Sequence, residues 1–147
     1  MFRLTSLDHI VLRVVDVERS MDFYTTVLGC SVEHINDEIG LYQLRAGDCI
    51  IDLVDVAGVL GQEGGPPPGP TAHNVDHFCV RIEPFDEADL RRHFAAHGVE
   101  AGRLYNNWGA DGRGPSMYVK DPDGNTVELK GPPTQPYDPA IGYIAAP

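Results

Sequence analysis

Apolar residues occupy every second position in a short segment near the start of the chain, and the same pattern returns later. Segment 7–14 reads Leu-Asp-His-Ile-Val-Leu-Arg-Val, and segment 75–82 reads Val-Asp-His-Phe-Cys-Val-Arg-Ile. A period of two is typical of a β-strand with one buried face. The pattern therefore predicts two equivalent strands, and their repetition predicts two equivalent modules.

Each predicted strand leads into a predicted helix. Asp16 is a suitable N-cap for a helix that ends at Gly29, and Asp86 is a suitable N-cap for a second helix that ends at Gly98. The apolar positions at helical spacing are Val17, Met21, Tyr24 and Leu28 in the first helix, and Leu90 and Phe94 in the second.

Two or three strand candidates follow each helix. The segments with strand-like composition are 41–44, 49–54, 116–120 and 126–129. Turn residues separate them at 46–48 and at 121–125, where the chain reads Asp-Pro-Asp-Gly-Asn. Tyr42 matches Tyr118, and Asp52 matches Glu128, at one common offset.

The predicted fold is α+β, with two tandem βαβββ modules that form a curved, partly closed mixed sheet. We expect one domain over 1–130, with module 1 at about 5–57, a linker rich in Gly and Pro at 58–71, and module 2 at about 72–130. Residues 131–147 form a proline-rich C-terminal arm, either packed on a surface or loose. Its larger apolar residues are Tyr137, Ile141, Tyr143 and Ile144.

Composition narrows the classes of partner. The formal net charge of −11 disfavours binding to nucleic acid and to anionic membranes. The three cysteines, Cys30, Cys49 and Cys79, lack the spacing of a disulfide framework or a zinc ribbon. No apolar run is long enough for a membrane span, so the sequence predicts a cytoplasmic protein. Its expected partner is a small molecule.

The repeat also predicts a metal site. Approximate twofold symmetry places His9 with His77 and Asp52 with Glu128, and the strand period points all four away from the apolar faces. Two imidazoles and two carboxylates suit one divalent ion such as Zn, Ni, Co, Mn or Fe(II). One or two open positions on the ion would admit water or substrate, which indicates catalysis rather than scaffolding.

Three segments carry a resemblance to a known family. They are 9–13 (His-Ile-Val-Leu-Arg), 20–29 (Ser-Met-Asp-Phe-Tyr-Thr-Thr-Val-Leu-Gly) and 118–128 (Tyr-Val-Lys-Asp-Pro-Asp-Gly-Asn-Thr-Val-Glu). Together they resemble the vicinal oxygen chelate superfamily, which contains glyoxalase I, bleomycin-resistance proteins and extradiol dioxygenases. The resemblance covers roughly residues 7 to 130.

The resemblance implies His9, His77 and Glu128 as metal ligands. In glyoxalase I a fourth carboxylate comes from the last strand of the first module, where this chain has Asp52 instead of the usual glutamate. Aspartate is one methylene shorter, so Asp52 either binds the metal or accepts a hydrogen bond from a metal-bound water. Such proteins often pair their modules across two chains, so we expect a homodimer.

The implied reaction is that of a glyoxalase-like lyase or isomerase. A small oxygen-chelating substrate, such as the hemithioacetal of a thiol, would lose a proton to Glu128 or Asp52 and pass through a metal-stabilised enediolate. Tyr118 is either a hydroxyl that contacts the substrate or a core residue. Arg13 is either a strand-end surface residue or a fork for a substrate carboxylate or phosphonate, and in glyoxalase I an arginine at this place contacts the glutathione tail.

The glycine-rich segment 106–114 carries two further candidates for substrate binding. Trp108 and Arg113 lie in this segment, which is expected to form either a mobile lid over the cavity or an ordinary surface loop.

Three other functions remain open. An Fe(II) extradiol dioxygenase needs only the two histidines and the glutamate, but it usually adds a histidine that is missing between 104 and 128. A fosfomycin-type thiol transferase would use Arg113, Ser116 and Lys120 around the same ligands. A protein related to bleomycin-resistance proteins would bind a drug without catalysis.

Overall fold

The computed structural model describes residues 3–138, so the part of the predicted arm with Ile141, Tyr143 and Ile144 lies outside the described residues. The chain divides into two compact units. The first comprises the residues through Asp76 together with Asp121–Asn125, and the second comprises His77–Lys120 and the residues from Thr126 onward.

The first unit contains one four-stranded sheet. Its strands are β1 (His9–Val14), β2 (Ser31–Asn36), β3 (Leu41–Ala46) and β4 (Cys49–Asp55), in the order β1-β4-β3-β2. Strand β1 is parallel to β4, and the other neighbours are antiparallel. The βαβββ pattern is confirmed. No bounds were predicted from the sequence for β2, the strand that directly follows the helix. This strand is almost entirely exposed and shows no apolar alternation.

Helix α1 (Val17–Asp22) continues into a π-helical turn (Phe23–Val27). The Asp16 side chain caps α1 by accepting a hydrogen bond from the backbone N of Arg19 at 3.0 Å. Gly29 ends the segment with a φ of 75°, which a side chain would disfavour. Tyr24 is fully buried in the core of this unit, together with Leu12 of β1.

The second unit repeats the order of elements. It contains β5 (Phe78–Arg81), α3 (Glu87–Ala96), β6 (Tyr105–Gly109), β7 (Gly112–Lys120), β8 (Thr126–Lys130) and β9 (Gln135–Pro136). The sheet order is β5-β8-β7-β6, with β9 added beside β7. As predicted, Asp86 caps the helix and accepts a hydrogen bond from Asp89 N at 2.9 Å. The described start of the C-terminal arm contains the short strand β9, which pairs with β7.

Two segments differ from the sequence prediction. The linker 58–71 was expected to hold no regular element, but it contains a short helix, α2 (Val59–Gln62). The predicted lid or loop 106–114 is an antiparallel hairpin of β6 and β7, in which Trp108 lies opposite Arg113. Its glycines and asparagines give a weak strand signal, whereas pairing with the long strand β7 supplies a complete ladder.

The match of Tyr42 with Tyr118 is wrong by one position. Gln43 lies opposite Asp52, whereas Tyr118 lies opposite Glu128. The second hairpin holds one more residue between its paired positions than the first hairpin does, so a single offset cannot match both strands of the two hairpins. Gln43 is therefore the counterpart of Tyr118.

Across residues 3–138, no helix has the length and apolar character that crossing a bilayer requires.

Candidate metal and substrate site

The strand register reproduces the predicted symmetry of the four candidate ligands. In β4, Asp52 lies opposite Val11 of the parallel strand β1, and in β8, Glu128 lies opposite Cys79 of β5. His9 precedes Val11 by two positions, and His77 precedes Cys79 by two positions. Each unit therefore holds one histidine and one carboxylate on the same face of neighbouring strands.

In the second unit the two candidate ligands are in contact. The Nε2 of His77 lies 3.4 Å from Oε2 of Glu128. The glutamate side chain is only 7% exposed, whereas that of His77 is 40% exposed. A buried carboxylate beside an accessible imidazole leaves one side of the pair open to an incoming ligand.

Asn107 and Tyr118 lie beside the Glu128 carboxylate. Asn107 Nδ2, on β6, donates to Oε1 of Glu128 at 3.4 Å and to the hydroxyl oxygen of Tyr118 at 2.9 Å. Burial and the charge of Glu128 raise the pKa of Tyr118 to about 12, so the phenol stays protonated and able to donate. Burial, and then the charge of Glu128, also raise the pKa of Cys79 to about 11.

In the first unit the carboxylate is buried in the same way. Asp52 is 5% exposed, and its Oδ1 accepts a hydrogen bond from Nε2 of Gln43 at 2.9 Å. His9 is half exposed, with Nδ1 at 2.7 Å from Oδ1 of Asp8. That hydrogen bond, with a further contribution from the charge of Asp52, raises the pKa of His9. A carboxylate at Nδ1 orients an imidazole so that Nε2 can act as a ligand.

The structure therefore assembles the candidate ligands as two pairs. Within residues 3–138 of one chain, no three His, Cys, Asp or Glu side chains gather closely enough to hold a metal ion. That all four ligands share one cavity stays a prediction.

Arg13 has a contact set that the sequence did not suggest. Its two terminal nitrogens donate to four backbone carbonyls of the linker at 2.7–3.0 Å. The acceptors are the carbonyl oxygens of Gly61, Gly64, Gly65 and Pro66. In this structure Arg13 fastens the linker to β1, and its role in substrate binding stays a prediction.

Trp108 and Arg113 stand as neighbours across the β6–β7 hairpin. The side chain of Asn107 reaches Tyr118, so strand alternation places Trp108 and Arg113 on the opposite face of this hairpin. Both residues are exposed, and Arg113 Nε donates to the carbonyl of Asn106 at 3.0 Å. Their predicted contact with substrate is untested by this geometry.

Sequence reasoning missed the amides beside the carboxylates. Gln43 and Asn107 each donate to one candidate ligand, but neither residue was predicted from the sequence as a site candidate. A signal for Gln43 exists in the hairpin register, because counting back from a two-residue turn places it opposite Asp52. Asn107 gives no such signal, because β6 was not recognised as a strand.

Comparison with known proteins agrees with this architecture. Residues 6–129 match the Glyoxalase/Bleomycin resistance protein/Dioxygenase superfamily, and the chain belongs to that family. Many of its members are enzymes, and members commonly bind a divalent metal ion and small-molecule ligands.

Individual relatives are distant. Glyoxalase domain-containing protein RDO1 of Mycosarcoma maydis is 33% identical over 84% of this chain, which spans only 66% of that protein. Lactoylglutathione lyase of Escherichia coli O157:H7 is 30% identical over 82% of this chain and 88% of its own length. Integron cassette protein VCH_CASS1 from the mobile metagenome of V. cholerae has a TM-score of 0.71 at 26% identity, covering 89% of this chain and 98% of its own.

Proposed function

We propose that this protein is a metal-dependent lyase or isomerase of the glyoxalase type, acting on a small substrate with two adjacent oxygens, such as a hemithioacetal. The contact between His77 Nε2 and Glu128 Oε2 at 3.4 Å carries the proposal, because it pairs an accessible imidazole with a buried, oriented carboxylate. The relation to lactoylglutathione lyase supports the same reaction class.

The donor set fits a divalent ion. Two ligands about 2.1 Å from a tetrahedral ion are about 3.4 Å apart, which agrees with the His77–Glu128 separation of 3.4 Å. In the proposal, His9 and Asp52 complete the set. When bound, the ion would act as a Lewis acid that polarises both substrate oxygens.

The chain's own groups then handle the proton. A carboxylate of Glu128 or Asp52 takes a proton from the substrate carbon that bears the hydroxyl group and returns it to the former carbonyl carbon, while the hydroxyl proton passes to the other substrate oxygen. The Tyr118 hydroxyl, protonated at neutral pH, is placed to donate a hydrogen bond to a substrate oxygen. Asn107 keeps Glu128 and Tyr118 in fixed relative positions.

Metal binding is the first test. The protein is stripped with a chelator, desalted and titrated with Zn, Ni, Co, Mn and Fe(II), and the same is done for His77→Ala, Glu128→Gln and Asp52→Asn. His73→Ala is the matched control, because His73 is an exposed residue outside the proposed set. We expect one metal per predicted site, lost in the first two variants, weakened in Asp52→Asn and unchanged in the control.

Activity is the second test. The metal-loaded protein is assayed for conversion of a hemithioacetal of methylglyoxal and glutathione into the thioester. Turnover that is lost in Glu128→Gln supports the proposal. Activity only with Fe(II) and a catechol would replace it with a dioxygenase, and a protein that binds no metal would be a ligand-binding relative.

A further inference from the structure

Lys130 is a buried cation that is held by carbonyl oxygens. The residue is 7% exposed, and its Nζ donates to the carbonyl oxygens of Asn107 at 2.6 Å and Gly114 at 3.4 Å. Carbonyl groups solvate an ammonium ion only in part, so its burial is unfavourable unless an anion approaches.

Lys130 lines a cavity of about 240 Å³. Arg81, which stands opposite Lys130 in the β5–β8 ladder, lines the same cavity. Arg81 Nε pairs with Asp111 at 2.7 Å, but both side chains are more than half exposed. Such a pair contributes little and can rearrange when a ligand enters. The cavity therefore presents one buried and one adjustable cation.

The lining limits the charge and size of the ligand. Asp111 and Glu83 also line the cavity, so the charges of its four ionic side chains cancel, and the two carboxylates disfavour a dianion more than a monoanion. A volume of about 240 Å³ lies below the range of about 300–1,000 Å³ that is typical of pockets for drug-sized ligands, which favours a small ligand.

We infer that this cavity binds the carboxylate of a small monoanion between Lys130 and Arg81. Lys130 follows Glu128 by two positions on β8, so both side chains lie on one face of the sheet. Lys130 also holds the backbone of Asn107, whose amide contacts Glu128. A ligand here would lie on the same side of the sheet as the candidate catalytic carboxylate, although binding itself does not depend on the proposed reaction.

The experiment uses metal-free, desalted protein, so that failure of metal binding cannot affect it. Backbone amide NMR signals are followed during titration with sodium acetate, with sodium phosphate and with sodium chloride at matched ionic strength. We expect saturable shifts with acetate that include the cavity residues Gly112 and Gly131, and weaker or no saturation with phosphate and chloride.

Variants identify the cations. Lys130→Gln should weaken acetate binding roughly tenfold or more, and Arg81→Gln several-fold, because each removes a charge-assisted hydrogen bond. Lys120→Gln is the control, since Lys120 is exposed on the same sheet and does not line the cavity. If Lys130→Gln does not fold, the acetate titrations of Arg81→Gln and of the wild-type protein test the inference, because Arg81 is exposed. Non-saturable shifts, equal binding of phosphate, or unchanged affinity in Arg81→Gln would overturn the inference.

Discussion

Asn107 Nδ2 lies 3.4 Å from Oε1 of Glu128, so a side chain on β6 supports a carboxylate on β8 across the intervening strand β7. The same nitrogen donates to Tyr118 on β7. The amide thus ties three strands together at the point where the candidate ligand is buried.

Replacing this amide should weaken metal binding. We expect Asn107→Ala to reduce metal affinity by about 10- to 100-fold, because residues that orient a ligating carboxylate typically contribute that much. Competition with a chromophoric chelator measures the change. Asn106→Ala, at an exposed neighbouring position, is the control. Equal metal affinity in Asn107→Ala and wild type would show that Glu128 needs no such support.

Mixing two inactive variants locates the site in an oligomer. His9→Ala and His77→Ala each remove one histidine from the proposed set of four ligands. If the site joins modules of two partners, a mixed dimer keeps one intact site, and mixing after refolding should restore about a quarter of wild-type activity. If both modules come from one chain, mixing restores none. Size-exclusion chromatography of each variant checks that a dimer is present.

The thiol of Cys79 should report on the charge of Glu128. Burial and this carboxylate raise its pKa from 9.0 to about 11, so little thiolate exists at pH 8. Glu128→Gln removes the negative charge, lowers the pKa of Cys79 and should speed its alkylation by iodoacetamide in metal-free protein. Peptide mass spectrometry follows the rate, with Cys49 in the other unit as an internal reference. A slower reaction at Cys79 in the variant would contradict the electrostatic cause.

The buried hydroxyl of Tyr24 should contribute to stability. It donates to Oδ2 of Asp121 at 2.8 Å, and burial, followed by the charge of Asp121, raises the pKa of Tyr24 well above its usual value. Tyr24→Phe should lower the free energy of unfolding by about 1.5–3 kcal/mol, the range for a hydrogen bond to a charged group. Tyr42→Phe, which loses a hydrogen bond to Asp37 at a partly exposed site, should cost less. Urea denaturation compares the two.

Arg13 should control the order of the linker. Its guanidinium donates to four carbonyls between Gly61 and Pro66, a planar fork that an ammonium group cannot reproduce. We expect Arg13→Lys to accelerate proteolytic cleavage within the linker, with little change in far-UV circular dichroism. Arg19→Lys, on the exposed side of α1, is the control. An unchanged cleavage rate would leave Arg13 available for the substrate.

The sequence by itself determined the repeat, because the period-two strands, the helix caps at Asp16 and Asp86 and the turn residues are local features. It also identified the four candidate ligands, since equal spacing in two modules implies equivalent positions. These properties follow from neighbouring residues along the chain.

Only the tertiary structure decided which side chains support the candidate ligands. The strand β6 exists because β7 supplies its hydrogen-bonding partner, and Asn107 therefore reaches Glu128. Likewise, the register of β3 against β4 placed Gln43 rather than Tyr42 beside Asp52. The burial of Lys130 depends on the carbonyls of β6 and β7. Such contacts join residues far apart in sequence, where turn length and strand pairing, rather than local preference, set the geometry.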